Sequence, residues 1–107
     1  MLSGGQQQIL TLARALAAEP RVLLADELSL GLAPIVVTRV LTALRAAAAR
    51  GVGVLLVEQH VRQALEIADR GYVLDRGEVV LSGDVHDLRL RLDDIEAAYL
   101  DGVPARP

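Results

Sequence analysis

Residues 22–32, VLLADELSLGL, leave this chain few folds to adopt. Val22, Leu23, Leu24 and Ala25 form an apolar run between Pro20-Arg21 and Asp26, the pattern of a buried parallel strand. In α/β folds the carboxyl end of such a strand opens onto a crevice, so Asp26 and Glu27 are expected there rather than in the core. Two carboxylates at one strand end suit a metal and a water. Asp26, nearer the strand, can hold Mg²⁺ through oxygen, and Glu27, one residue on, can orient or deprotonate an attacking water. A strand end with two solvated acids presents the same residues, so the pair does not identify the chemistry without its neighbours.

Composition narrows the chemistry. All eleven basic residues are arginine. A phosphate loop of the G-x-x-x-x-G-K-[ST] type needs a lysine, so this chain contains none. The absence of cysteine removes thiolate metal sites, thiol nucleophiles and disulfides. A net charge of −3, with two tyrosines and neither Phe nor Trp, speaks against a nucleic-acid platform. No apolar run is long enough for a bilayer span, so any connection to a membrane is expected through a partner. At 107 residues, one small domain is expected.

The N-terminal stretch MLSGGQQQ opens a helix. Ser3 and Gln6 form an S-x-x-Q capping box, and Gly4 and Gly5 leave the first backbone amides uncovered. A helix start with free N–H groups and a positive dipole end is a seat for phosphate, and equally an ordinary capped helix. Ile9, Leu10, Leu12, Ala13, Leu16 and Ala17 give that helix an apolar face, and Glu19-Pro20 end it. Pro34 starts a second helix with a stripe of Val36, Val37, Val40, Leu41, Leu44 and Ala48, closed by Gly51. GVGVLLVEQH, residues 51–60, reads as a second buried strand with a polar exit. A short helix follows through Val61, Leu65 and Ala68; then Tyr72-Val73-Leu74 and Val79-Val80-Leu81 pair as a hairpin around Asp75-Arg76-Gly77. One helix is expected from Gly83-Asp84 to about Leu92, a second capped by Asp93 or Asp94 through Leu100, and a mobile tail over 102–107. His86 reads as a surface residue.

The order Leu2-Ser3-Gly4-Gly5-Gln6, an amphipathic helix with Ala13-Arg14-Ala15-Leu16, then an apolar strand ending in Asp26-Glu27, resembles the signature-to-Walker B segment of ABC-type ATPases. The resemblance implies a P-loop NTPase fold of α/β class, present here in part: an incomplete, mostly parallel sheet with flanking helices, a C-terminal hairpin and short helices. It implies ATP and Mg²⁺ as ligands. Ser3, Gly4, Gly5 and Gln6 match the signature that contacts ATP on the opposite subunit, Asp26 the metal-holding aspartate and Glu27 the catalytic glutamate. Ser29-Leu30-Gly31-Leu32 match the loop that crosses the dimer interface. Gln59 matches the switch residue that touches the γ-phosphate, with His60 the second choice; as a lone histidine, His60 reads as an exposed helix start. Leu28 departs from the pattern, since proline usually follows the glutamate and would fix φ there.

DELSLGLAP, VEQHVRQALEIADRGYVLDRGEVVLSGD and AAYLDG are similar to the ATP-binding subunits of branched-chain amino acid importers, with urea and amide importers close by. The resemblance implies a sandwich dimer with a second ATPase subunit and transmembrane permease subunits, hence a cytoplasmic location at the inner membrane face. Residues 1–107 match about the last half of the family's domain, without the Walker A strand and loop or the Q-loop. In the family the Walker A strand lies between the strands expected near 53–58 and 71–75, so two unpaired strand edges are expected. The chain alone is expected to bind ATP weakly or not at all, and needs its missing half from another chain if it is to act. A truncated product without catalysis, acting as a dimerisation module, is the alternative. A DNA-repair or translation ATPase is a third reading, disfavoured by the closing motifs.

Overall fold

The computed structural model describes residues 3–100, with side-chain surroundings over 3–94. It divides the chain into two compact units, one through Ile67 and one from Ala68.

The first unit begins with α1, Gly4–Ala17, whose capping box forms as the sequence predicts. Gln6 N donates to Ser3 Oγ at 3.1 Å, and Ser3 N donates to Gln6 Oε1 at 3.0 Å. β1 (Val22–Asp26), α2 (Pro34–Ala49) and β2 (Gly53–Val57) then make a β-α-β unit. Parallel strands need a crossover, and α2 supplies it: β1 and β2 pair parallel, from Val22 opposite Gly53 to Asp26 opposite Val57. The alanine run at the end of α2 favours helix. Its termination is a Schellman motif, with Val52 N donating to Ala47 O, Gly51 N to Ala48 O, and Gly51 at φ +100°. The short helix α3, Val61–Ile67, completes the unit.

One core holds these elements. Val37, Val40, Leu41 and Leu44 of α2 bury against Leu23 and Ala25 of β1 and Leu12 of α1. The stripe on α2 continues at Ala47 rather than the expected Ala48, the i+3 step from Leu44. Two further expectations are corrected. β1 is covered on one face only: Leu23 and Ala25 are buried, whereas Val22 and Leu24 are exposed, as are Leu55 and Val57 of β2. On α1 only Leu12 is buried; Ile9 and Leu10 lie on its exposed side, because the core offers that helix a narrow contact.

The second unit is an antiparallel hairpin, β3 (Arg70–Asp75) and β4 (Glu78–Asp84), followed by α4 (Val85–Leu100). Arg76 at φ +53° and Gly77 at φ +80° form the two-residue turn between Asp75 and Glu78. Positive φ at both central residues is type I′, the turn whose twist matches paired strands. A bulge follows where Val73 faces Leu81 but Leu74 faces Val79, leaving Val80 as the extra residue. Asp84 Oδ1 accepts from Asp87 N at 2.8 Å and so caps α4. That helix runs unbroken where two short ones were expected. Asp93 and Asp94 carry a modest helix penalty but leave the backbone N–H in place, unlike proline, so the helix passes through them. In place of one mostly parallel sheet, the described residues form two separate two-stranded sheets, one parallel and one antiparallel. The tail expected to be mobile, 102–107, lies outside the described residues.

Candidate functional site

The parallel register of β1 and β2 decides where the polar residues fall. Because Asp26 stands opposite Val57, the loops leaving the two strands emerge side by side. The ladder extends one step further, with Glu27 N donating to Val57 O at 2.8 Å. Glu27 itself sits at φ +50°. That left-handed conformation costs a residue with a Cβ about 1–2 kcal/mol, so its surroundings must hold it.

Across the two loops, Gln59 Nε2 donates to Glu27 Oε1 at 3.0 Å. An amide donor on a carboxylate fixes its direction while leaving the second oxygen free to accept from a water. Asp26 lies at the exposed end of β1, one residue from Glu27. The described residues contain no cluster of three or more His, Cys, Asp or Glu able to hold a metal. A single carboxylate is nevertheless a fitting donor for Mg²⁺, which keeps several waters and takes its other ligands from phosphates.

At the start of α1 the capping box uses the Ser3 and Gln6 amides. Gly4 and Gly5 N–H have no intrahelical acceptor. A Cβ at Gly4 would meet nothing within 4 Å, so the tip is open to a ligand; one at Gly5 would press on Val36 Cγ1 and Cγ2 at 3.1 Å. Gly4 thus uncovers the amides, whereas Gly5 lets α1 approach α2. Phosphate fits this tip: two free donors, the Ser3 hydroxyl proton and the positive helix end.

Three residues hold the loop after Glu27 in ways the sequence did not reveal. Gln8 Nε2, on α1, donates to the Leu28 carbonyl at 3.3 Å. Ser29 is buried, with Oγ 3.2 Å from His60 Nδ1. Glu58 closes the group, accepting on Oε1 from Gln59 N at 3.0 Å and His60 N at 3.3 Å, with His60 Nδ1 also at 3.3 Å. Burial alone would raise the Glu58 pKa, but the Ser29 hydroxyl, the His60 and Gln59 amides and the His60 ring together hold it below its ordinary value. His60 heads α3, as a helix-start residue should, with its carbonyl accepting from Ala64 N. Its Nδ1 faces Ser29 and Glu58, and it is Gln59 that reaches Glu27.

A β-α-β unit with an open helix start and acids at the strand exit is an arrangement that nucleotide-binding α/β proteins use. Comparison with known proteins narrows the class. The family model described as ABC transporter matches residues 1–29. The branched-chain amino acid transport ATP-binding protein BraG of Pseudomonas aeruginosa is 45% identical over 101 residues, 94% of this chain and 43% of BraG. The lipopolysaccharide export ATP-binding protein LptB of Acidithiobacillus ferridurans is 40% identical over 87 residues, 81% of this chain and 36% of LptB. A nucleotide-free ATP-binding cassette of an ABC transporter superposes with TM-score 0.78 and 26% identity, covering 89% of this chain and 38% of that one. A dimeric post-hydrolysis cassette bound to ADP and Pi gives 0.69 and 32%, over 78% and 36%. The chain belongs to the ABC transporter ATP-binding family and carries part of its P-loop NTPase fold. It spans about two fifths of the length of the curated relatives it matches.

Proposed function

We propose that residues 1–107 supply the ATP-hydrolysing residues of an ABC importer for branched-chain amino acids, acting with a phosphate loop contributed from outside them. The observation that carries the reading is the Gln59 Nε2 to Glu27 Oε1 hydrogen bond of 3.0 Å, which joins the exits of β1 and β2. Glu27 takes the role of orienting water or accepting its proton, and Gln59 holds Glu27 and meets the γ-phosphate. Asp26 would hold Mg²⁺, whose charge offsets that building on the phosphate oxygens. Ser3, Gly4, Gly5 and Gln6 form the helix tip that closes over ATP bound to a second subunit, so that positioning and charge stabilisation do most of the work. The dimeric cassette among its structural relatives supports such an assembly.

Residues 1–107 contain no lysine and so hold no phosphate loop of the G-x-x-x-x-G-K-[ST] type. The chain's partners are a second ATPase subunit and permease subunits, which places it on the cytoplasmic side of the membrane. No helix of the described residues is long and apolar enough to span a bilayer. The likeness to BraG supports the choice of cargo. Urea or amide import remains the alternative cargo assignment, since other subunits select it.

The test is a chimera in which this chain replaces the aligned 101-residue segment of BraG. It should hydrolyse MgATP and restore leucine uptake to cells lacking BraG. Glu27→Gln should keep nucleotide binding and dimerisation while losing turnover. Turnover at the parental rate in that variant would remove Glu27 from the mechanism; hydrolysis without leucine uptake would remove the cargo assignment alone.

A further inference from the structure

We propose that Glu58 is a positioning residue for the Glu27–Gln59 pair: with Ser29 and His60 it clamps the loop after β1 to the loop after β2. The inference rests on the catalytic reading of Glu27 given above.

Glu58 is a carboxylate in an unusual place. Its side chain is 3% exposed, yet among the described residues Oε2 has no hydrogen-bond partner. The Gln59 and His60 amides and the His60 ring converge on Oε1, and the Ser29 hydroxyl acts on the same carboxylate. An ionised oxygen buried without a donor is costly, and such a group persists where it does something besides stabilise. What Oε1 does is fold the 58–60 loop back on itself. The backbone amides that it fixes are those of Gln59 and His60, so the carboxylate sets the point from which the Gln59 side chain leaves.

The other half of the clamp is Ser29. Two residues after Glu27, it is buried and reaches the same His60 nitrogen that Glu58 does. Serine, histidine and glutamate in contact suggest a nucleophile relay, but the geometry excludes one. A relay needs serine on one ring nitrogen and the acid on the other; here both meet Nδ1, and the ring side chain is 61% exposed. One Nδ1 proton shared between a hydroxyl and a carboxylate makes a tie between two loops.

The tie has a purpose at this site. Glu27 holds a left-handed φ of +50°, and Leu28 follows it where a proline would have restricted the loop. Gln8 secures the Leu28 carbonyl from the side of α1. Ser29 secures the next residue from the side of β2. Cutting the clamp frees both loops, and the Gln59 amide loses its aim on Glu27, which changes the chemical step and leaves nucleotide binding to other groups.

Steady-state ATP hydrolysis by the BraG chimera tests this. Glu58→Ala and Ser29→Ala should each lower kcat by ~10- to 100-fold, the scale of a misplaced catalytic group, while KM for MgATP stays within about twofold. The double variant should be no slower than the slower single, because both cut one tie. Glu58→Gln, which still offers an acceptor to the two amides, should recover most of the rate. An unchanged kcat in Glu58→Ala, or single effects that multiply in the double variant, would overturn the clamp. Should Glu58→Ala fail to fold, Ser29→Ala, which loses a single oxygen, decides the matter. If Glu27→Gln retains turnover, the catalytic reading itself has failed; if Glu27→Gln is inactive and Glu58→Ala is not slowed, only the clamp has.

Discussion

Leu44 and Leu24 are the same residue type in two apolar runs, and truncating each to alanine should give opposite results. Leu44 on α2 is 1% exposed in the middle of the core, whereas Leu24 on β1 is 72% exposed on the uncovered face of the β1–β2 pair. Leu44→Ala removes three carbons from that core. At ~0.8 kcal/mol per buried carbon group the transfer loss is ~2.4 kcal/mol, and incomplete collapse of the cavity brings the total to ~3–4 kcal/mol. A chain of this size has only ~5–15 kcal/mol of stability, so the variant should be severely weakened. Leu24→Ala removes carbons already in water and should cost no more than ~0.5 kcal/mol. Urea unfolding followed by far-ultraviolet circular dichroism measures both, the chain having no tryptophan to serve as a fluorescent probe. Running each melt at two protein concentrations separates stability from association through the exposed face. A loss of ~2 kcal/mol or more in Leu24→Ala at both concentrations would refute the one-sided covering of β1, and a loss under ~1 kcal/mol in Leu44→Ala would refute the packing of α2.

Two further outcomes are expected. Glu58 has its pKa lowered in the folded chain, so its stabilising contribution is complete above its unfolded value and is lost as pH falls through the folded one. The stability difference between wild type and Glu58→Gln should therefore shrink in urea melts taken from about pH 7 down to about pH 3, and a difference independent of pH would contradict the assigned hydrogen bonds. Gly77 occupies φ +80° in the hairpin turn, with open space where a Cβ would go. Gly77→Ala should cost ~1 kcal/mol through backbone strain alone, while Gly77→Asn, which tolerates that conformation, should cost less in the same melts.

The alternation of strands and helices, the Ser3–Gln6 capping box, the hairpin around Asp75-Arg76-Gly77 and the close of α2 at Gly51 were all legible in the sequence, because each depends on residues within a few positions of one another. Asp26 and Glu27 could be singled out for the same reason, standing at the polar exit of an apolar run, whereas Gln59 was singled out by the resemblance to ABC-type ATPases. Tertiary structure decided what those residues meet. The Gln59–Glu27 bond spans 32 positions, the Ser29–His60 contact 31 and the Gln8–Leu28 bond 20. Such pairings follow from the parallel register of β1 and β2 and the seating of α1, and no local pattern encodes them. Likewise, VLLA is apolar on both faces, and without alternation nothing in the run distinguishes the side that buries Leu23 and Ala25 from the side that leaves Leu24 in water. Strand periodicity is a local property, but which face is covered depends on where the helix that follows, α2, packs its stripe, and only the fold fixes that.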